Sequence, residues 1–237
     1  MQVSPIVVAG YALIPVAAMA LAATLSSARP VSRRVRSLLQ HFAAGLVIAI
    51  VAVELLPQVR AAQPTAVVAG FALGVLAMLG IRRVGASLER RGEGSSRSSA
   101  PLLITVGIDL LIDGLLLGIA FSLGSSQGVL LTVALTVEVL SLGTTVTAAL
   151  VQRGFARSAA IVIPVSLASL VTVGAVIGST VLGGLAGAPL AIVVSFGMAA
   201  LLYLVVEELL AEAHEAPDTT AGVVAFFVGF LVLLLLG

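Results

Sequence analysis

The feature that constrains this chain most is a series of long apolar stretches separated by short polar, glycine or proline breaks. A helix needs about 20 apolar residues to cross the roughly 30 Å hydrocarbon core of a bilayer. Eight stretches near that length occur, at residues 5–26, 38–58, 64–84, 101–124, 127–152, 157–182, 188–213 and 219–236. The sequence therefore predicts an all-α membrane protein with eight transmembrane helices, forming a single domain over residues 1–237.

Composition excludes most soluble classes of protein. Only 10% of the residues are charged and 60% are hydrophobic, whereas a soluble domain carries about 25% charged residues. The absence of Cys and the presence of only two His exclude thiolate and histidine-rich metal sites. We expect no nucleic-acid partner, no resident cofactor and no enzymatic activity. An intramembrane aspartyl protease is the enzyme class weighed against this, but the Gly-x-Gly-Asp setting that it requires is missing.

The basic residues predict the orientation. All twelve are Arg, and eleven of them lie in or beside the breaks after spans one, three and five, which leaves only Arg60 for the other side. Because positively charged loops tend to stay in the cytoplasm, both termini are predicted to lie on the outer side of the cell membrane. Residues 85–100 contain a Ser-, Gly- and Arg-rich run and are predicted to form a flexible cytoplasmic loop.

Three acidic residues lie inside spans four and five. Asp109 and Asp113 are four residues apart and therefore share one helix face. Asp113 lies eleven residues before Gly124, and Glu138 lies eleven residues after Gln127. At 1.5 Å per residue both acids are roughly 16 Å deep, near the bilayer midplane. The three carboxylates are therefore predicted to meet.

Neither of these two spans contains a basic residue that could neutralise the acids. Some of them must then carry a proton, or a cation must lie between them, because burial and like charge both disfavour the ionised form. Both solutions belong to the chemistry of transport. The structural alternative is that neutral carboxyl groups hydrogen-bond to Thr and Ser of neighbouring spans.

A second polar region joins spans two and seven. Glu-Leu-Leu recurs at Glu54 and Glu208, near the ends of two helices that run in opposite directions. This predicts an inverted repeat in a 3+2+3 arrangement, a plan common among transporters. His41 begins span two on the side where span seven ends with Glu208, Glu212 and His214. These four residues form a candidate cytoplasmic-side metal site, and the alternative is that they are ordinary groups of the headgroup region.

Small residues recur at a spacing that permits close helix packing. This spacing predicts a compact bundle and carries no information on substrate. The three motifs are Gly70-x-x-x-Gly74, Gly114-x-x-x-Gly118 and Gly174-x-x-x-Gly178.

Three motif segments are similar to those of one transporter family. Span two reads His-Phe-Ala-Ala-Gly at 41–45 and Glu-Leu-Leu-Pro at 54–57, and span seven ends with Val-Glu-Glu-Leu-Leu-Ala-Glu-Ala-His-Glu at 206–215. In these segments the chain resembles the ZIP (Zrt/Irt-like) metal transporters, particularly their short bacterial zinc-permease branch. The resemblance implies eight helices with outward termini and a metal site between the fourth and fifth helices.

The family's fourth helix carries His-Asn-x-x-Glu/Asp-Gly, whose His and acid are metal ligands. This chain retains the acid and the glycine as Asp113 and Gly114. Asp109 stands at the His position and Leu110 at the Asn position. The resemblance therefore implies that both ligands of this helix are carboxylates here.

The family's fifth helix carries a His or an acid, followed by a Glu before a Gly. With Gly143 as that glycine, Glu138 occupies the first ligand position and Leu142 replaces the Glu. The implied site is a single cluster of Asp109, Asp113 and Glu138. Oxygen-only ligands favour Mn²⁺, Mg²⁺ or Ca²⁺ over Zn²⁺.

The leading prediction is a transporter of divalent cations. The cation is held by Asp109, Asp113 and Glu138 and leaves past His41 and the acidic end of span seven. The alternatives are a proton-coupled carrier of another small solute and a degenerate family member that does not transport. The predicted partners are the cation and the lipid bilayer, with a homodimer as an option.

Overall fold

The computed structural model describes residues 3–29, 31–92, 99–181, 184–214 and 219–236. Throughout these residues the chain is helical between short turns, without strands. The helices are α1 (Pro5–Ala28), α2 (Arg33–Ala61), α3 (Pro64–Gly92), α4 (Ala100–Leu123), α5 (Ser125–Gln152), α6 (Arg157–Val181), α7 (187–213) and α8 (Thr220–Leu236).

Seven of these helices, α1 to α7, are long and apolar enough to cross a membrane. The eighth predicted span, α8, is a shorter apolar helix of 17 residues. Large apolar side chains are exposed on the outside of the bundle, for example Ile6, Leu76 and Leu235, as expected of helices that face lipid. The chain is a multi-pass membrane protein.

The third helix is longer than the predicted span. It continues to Gly92, so residues 85–92 of the predicted loop are helical. The middle of this extension contains Ala86, Leu88, Glu89, Arg90 and Arg91, which are strong helix formers. Residues 93–98 of the same predicted loop lie outside the described part of the chain.

Contacts between helix ends show that neighbouring helices alternate in direction. At the start of α2, Ser37 Oγ donates to the carbonyl oxygen of Ala213 at the end of α7, at 2.9 Å. Arg36, also at the start of α2, donates to Thr145 Oγ1 near the end of α5, at 3.3 Å. We call this the arginine-rich end: α1, α3, α5 and α7 finish there and the even-numbered helices begin there. The other end is the opposite end.

Glycines bring parallel helices into backbone contact. A Cβ atom added at Gly174 or Gly178 of α6 would lie 2.3 or 2.4 Å from the carbonyl oxygen of Leu111 or Leu115 in α4. Gly114 of α4 meets α6 just as closely, at 2.2 Å from a carbonyl oxygen. The packing role predicted for the small-residue motifs of these two helices is confirmed.

Two other parallel pairs approach in the same manner, and a third pair, α1 and α5, meets at a glycine through side chains. In α3, an added Cβ at Gly74 would lie 2.7 Å from the carbonyl oxygen of Phe196 in α7. In α8, an added Cβ at Gly229 would lie 2.2 Å from the carbonyl oxygen of Phe42 in α2. α1 packs on α5 at Gly143. Within the described residues, four pairs of parallel helices therefore meet at glycines.

Two helices each contain one turn of π-helix, at Val51–Leu55 in α2 and at Val205–Leu209 in α7. Each turn carries a glutamate at its fourth position, Glu54 or Glu208. Such wide turns shift the register of the side chains that follow and often occur at functional sites. In α2 there is a local cause, because Pro57 lacks the N–H group that would bond to the carbonyl one turn back. The Glu-Leu-Leu repeat seen in the sequence falls on these turns.

Candidate cation site

Three carboxylates meet inside the bundle, as their spacing predicts. Asp109 and Asp113 of α4 and Glu138 of α5 bring one oxygen each to within 4.8 Å of one another. Asp113 is 1% exposed and Glu138 is 5% exposed. The cluster is therefore largely shielded from solvent and lipid.

The α4–α5 connection explains the shared depth of these acids. α4 ends at Leu123 and α5 begins at Ser125, so Gly124 alone joins the two helices. Counted from Gly124, Asp113 lies 11 residues away and Glu138 lies 14 residues away, so their depths differ by about 4.5 Å, less than one helical turn. The counting argument from the sequence holds to within that turn.

Asp113 lacks the partners that a buried carboxylate requires. Both of its carboxylate oxygens are buried and have no hydrogen-bond partner within the described residues. The hydroxyls of Thr132, Thr136 and Thr144 in α5 donate to backbone carbonyls of their own helix. An ionised carboxylate left in this state costs several kcal/mol. A proton or a cation is needed to offset that cost.

A small cavity of about 30 Å³ adjoins two of the three carboxylates, Asp109 and Glu138. Its polar wall is formed by Asp109, Glu138, Glu208, Gln40 and Ser141. One water molecule requires roughly 10–15 Å³ measured in this way, so a single cation or water fits. All of these side chains present oxygen atoms, which is the ligand type that hard divalent cations prefer.

Two residues of this cavity were not assigned to it from the sequence. Gln40 is only 4% exposed. The one sequence feature that could have pointed to it is that its amide lies inside the apolar stretch 38–58. Glu208 was grouped with His41 and His214 because it lies near the end of span seven. The structure places Glu208 against the carboxylate cavity.

A larger cavity of about 360 Å³ connects this region to the arginine-rich end. It shares Asp109, Leu142 and Glu208 with the small cavity. It extends to Arg82 and Glu207, which are surface residues. The carboxylates therefore communicate with the arginine-rich end.

An exposed ion pair lies at the mouth of the larger cavity, where Arg82 Nη1 donates to Glu207 Oε2. Their side chains are 60% and 38% exposed. Because exposed pairs contribute little, we expect Arg82→Ala to lower the free energy of unfolding by less than about 1 kcal/mol. Thermal melting in detergent measures this, with Arg83→Ala as the matched exposed control. A loss of several kcal/mol would contradict a surface role for the pair.

The two histidines lie together at the arginine-rich end, with ring centroids 5.5 Å apart. His41 is buried, and its Nδ1 lies 2.8 Å from the carbonyl oxygen of Ser37. His214 Nδ1 contacts the carbonyl oxygen of Leu210. When Nδ1 carries the hydrogen and donates it to a carbonyl oxygen, Nε2 is the nitrogen that can coordinate a metal. The side chain of Glu212, which belongs to the same predicted set, lies outside the described residues.

The opposite end is packed more closely. Gln127 Nε2 donates to Glu54 Oε2 at 2.6 Å. The cavity beside this bond measures about 20 Å³ and is walled by apolar side chains such as Leu116, Leu131 and Leu201. The cavity beside Glu54 is therefore much smaller than the one beside Glu208, and a separate apolar cavity of about 200 Å³ between α4 and α7 shares Leu116 and Ile119 with it.

No protein-family model matches this chain, and no curated protein is significantly similar to it. The resemblance to the ZIP transporters thus remains a prediction from the motif residues. The function has to be inferred from the geometry of the site.

Proposed function

We propose that the protein transports a divalent metal cation across the cell membrane through the cluster of Asp109, Asp113 and Glu138. The observation that carries this proposal is the close approach of three carboxylates inside a membrane bundle. Neither α4 nor α5 contains a basic residue to neutralise them. A divalent cation would offset two of the three negative charges and would give the oxygens of Asp113 a partner.

The ligand atoms bear on which cations are transported. The cavity adds the side-chain oxygens of Gln40 and Ser141 to the carboxylates. An all-oxygen set suits Mn²⁺, Mg²⁺ or Ca²⁺ better than Zn²⁺, which prefers nitrogen and sulfur ligands. A ZIP-like transporter with this cluster would therefore select harder ions than its zinc-transporting counterparts.

The direction of the pathway follows from the arginine distribution. The positive-inside rule places the arginine-rich end in the cytoplasm and both termini outside the plasma membrane. The cation would arrive from the opposite end and leave through the larger cavity past Glu208. His41 and His214 lie together at the same end of the bundle and would form the last ligands of the pathway.

We propose further that α1–α3 and α6–α8 form an inverted repeat around the central pair α4 and α5, in a 3+2+3 arrangement. The two π turns support this relation. Phe42 lies twelve residues before Glu54, and Phe196 lies twelve residues before Glu208. The carbonyl oxygen of each phenylalanine lies against a glycine in the third helix of the other half. Those glycines are Gly229 of α8 and Gly74 of α3. The proposed repeat relates these two helices to each other.

The central pair supports the same relation. Asp113 lies five residues before Gly118, and Glu138 lies five residues before Gly143. Gly118 packs against α6 and Gly143 packs against α1, which are the helices that the repeat would exchange. Each helix of the central pair thus contributes one acid to the cluster. A site at the interface of two inverted halves is suited to alternating access.

A proton-coupled carrier is the second candidate, and one observation favours it. The orphaned oxygens of Asp113 would be satisfied by a proton as well as by a cation. The same cluster would then act as a proton relay for another solute. The two functions differ in what moves across the membrane.

The test is uptake by the purified protein in liposomes. We expect saturable Mn²⁺ uptake that is absent from protein-free liposomes, with competition by other hard divalent cations. Solute-dependent proton movement without metal uptake would favour the proton-coupled carrier. The absence of any saturable flux would favour the non-transporting alternative and contradict the proposal.

A further inference from the structure

We infer that the hydrogen bond from Gln127 to Glu54 is a latch that holds the pathway closed at the opposite end. When this latch opens, the larger cavity at the arginine-rich end closes. The inference rests on the inverted repeat and the transport role proposed above. It adds the contact that distinguishes the two conformations.

The repeat makes the cavities at the two ends counterparts of each other. Glu208 lines the cavity of about 360 Å³, and Glu54 lines the cavity of about 20 Å³, each from the fourth position of a π turn. Leu102 lies eleven residues before Asp113, as Gln127 lies eleven residues before Glu138. Leu102 lines the large cavity and Gln127 lines the small one.

Two more pairs of positions agree. Val106 and Leu131 each lie seven residues before their acid, and Thr145 and Ala120 each lie seven residues after it. Val106 and Thr145 line the large cavity, whereas Leu131 and Ala120 line the small one. Equivalent surfaces are thus separated at one end and packed together at the other.

This asymmetry is what alternating access requires of an inverted repeat. If the two halves exchange conformations, the closed end opens and the open end closes. The contact between Glu54 and Gln127 would then part, and Glu208 would approach Leu102. The present structure corresponds to the state that is open at the arginine-rich end.

The chemistry of the two ends differs in one respect. At the closed end a glutamate accepts a short hydrogen bond from an amide in apolar surroundings, where charge-assisted bonds are strong. Leu102, the counterpart of Gln127, has no donor to offer Glu208. The latch therefore biases the protein toward the conformation seen here. A cation that reaches Glu54 would compete with Gln127 and weaken the latch.

The natural absence of cysteine permits a direct test. Two single-cysteine variants report on the cavities through their rates of reaction with a maleimide in detergent. Leu131→Cys probes the small cavity and Val106→Cys probes the large one. We expect Val106→Cys to react faster in the otherwise native chain. Adding Gln127→Leu should raise the reaction rate of Leu131→Cys by about tenfold, which is the factor expected for the loss of one such hydrogen bond. The same substitution should lower the reaction rate of Val106→Cys.

Gln152→Leu is the matched control, because Gln152 is an exposed glutamine at the other end of α5. If Gln127→Leu does not fold, Gln127→Glu replaces it, since two facing carboxylates should also open the latch. Unchanged rates, or rates that rise together at both cysteines, would overturn the inference. The assay needs no metal, so a protein that failed to transport Mn²⁺ would still show opposite changes if the latch exists.

Discussion

Asp113→Asn is expected to abolish cation-dependent stabilisation and transport, and to make the cation-free protein more stable. The substitution keeps the size of the side chain and removes a charge that is buried without a hydrogen-bond partner within the described residues. The amide is also polar, so the gain comes from removing the buried ionisable group and is about 1–3 kcal/mol. Losing a cation ligand lowers the stability of the protein, but only when the cation is present.

Thermal melting in detergent separates these two effects. A cation present at about 100 times its Kd should stabilise the native protein by about 2.7 kcal/mol. Asp113→Asn should melt higher than the native chain without Mn²⁺ and should gain nothing when Mn²⁺ is added. Glu138→Gln should lose the response to Mn²⁺ in the same way.

Glu89→Gln is the matched control, because it makes the same chemical change beside the arginine-rich segment after span three. It should retain both the melting response and Mn²⁺ uptake. If Asp113→Asn and Glu138→Gln behaved like this control, the proposed cation site would be wrong.

Gly174→Ala is expected to disrupt the pairing of α4 and α6. The added methyl group would lie 2.3 Å from the carbonyl oxygen of Leu111 and 2.8 Å from the backbone nitrogen of Leu115. Neither backbone atom can move aside as a flexible side chain would. Overpacking of this kind costs typically about 1–3 kcal/mol, and we expect the upper part of that range.

The melting temperature and the monodisperse fraction after extraction into detergent measure this effect. Gly80→Ala and Gly10→Ala are matched controls, because no atom of another helix among the described residues lies within 4 Å of a Cβ added at either position. Alanine favours helix more than glycine does, so these two variants should be neutral or slightly stabilised. Equal losses in all three variants would show that the close approach of α4 and α6 does not contribute to stability.

Part of this architecture could be predicted because helix geometry is local. Apolar length marks the spans, and a spacing of four residues places Asp109 and Asp113 on one face. Glu138 could be added because one residue connects α4 to α5, which makes sequence distance a measure of depth. The extension of α3 to Gly92 was missed, since the prediction followed hydropathy rather than helix propensity.

Contacts between helices distant in sequence could not be predicted in this way. Gln40 and Glu208 join the carboxylate cavity from α2 and α7. Their positions depend on how those helices rotate and cross, which side-chain packing decides. The π turn around Glu208 shifts the register further, and span length does not reveal it.

The sequence by itself determined the class of the protein, the order of its apolar helices and the meeting of three acids at one depth. These properties follow from hydrophobic length and from the regular rise of the helix, which need no knowledge of distant contacts. Only the tertiary structure decided that Asp113 lacks a partner among the described residues and that the two ends of the bundle are unequally open. Hydrogen bonds and cavity volumes depend on the arrangement of several helices at once, so they emerge only when the whole bundle is packed.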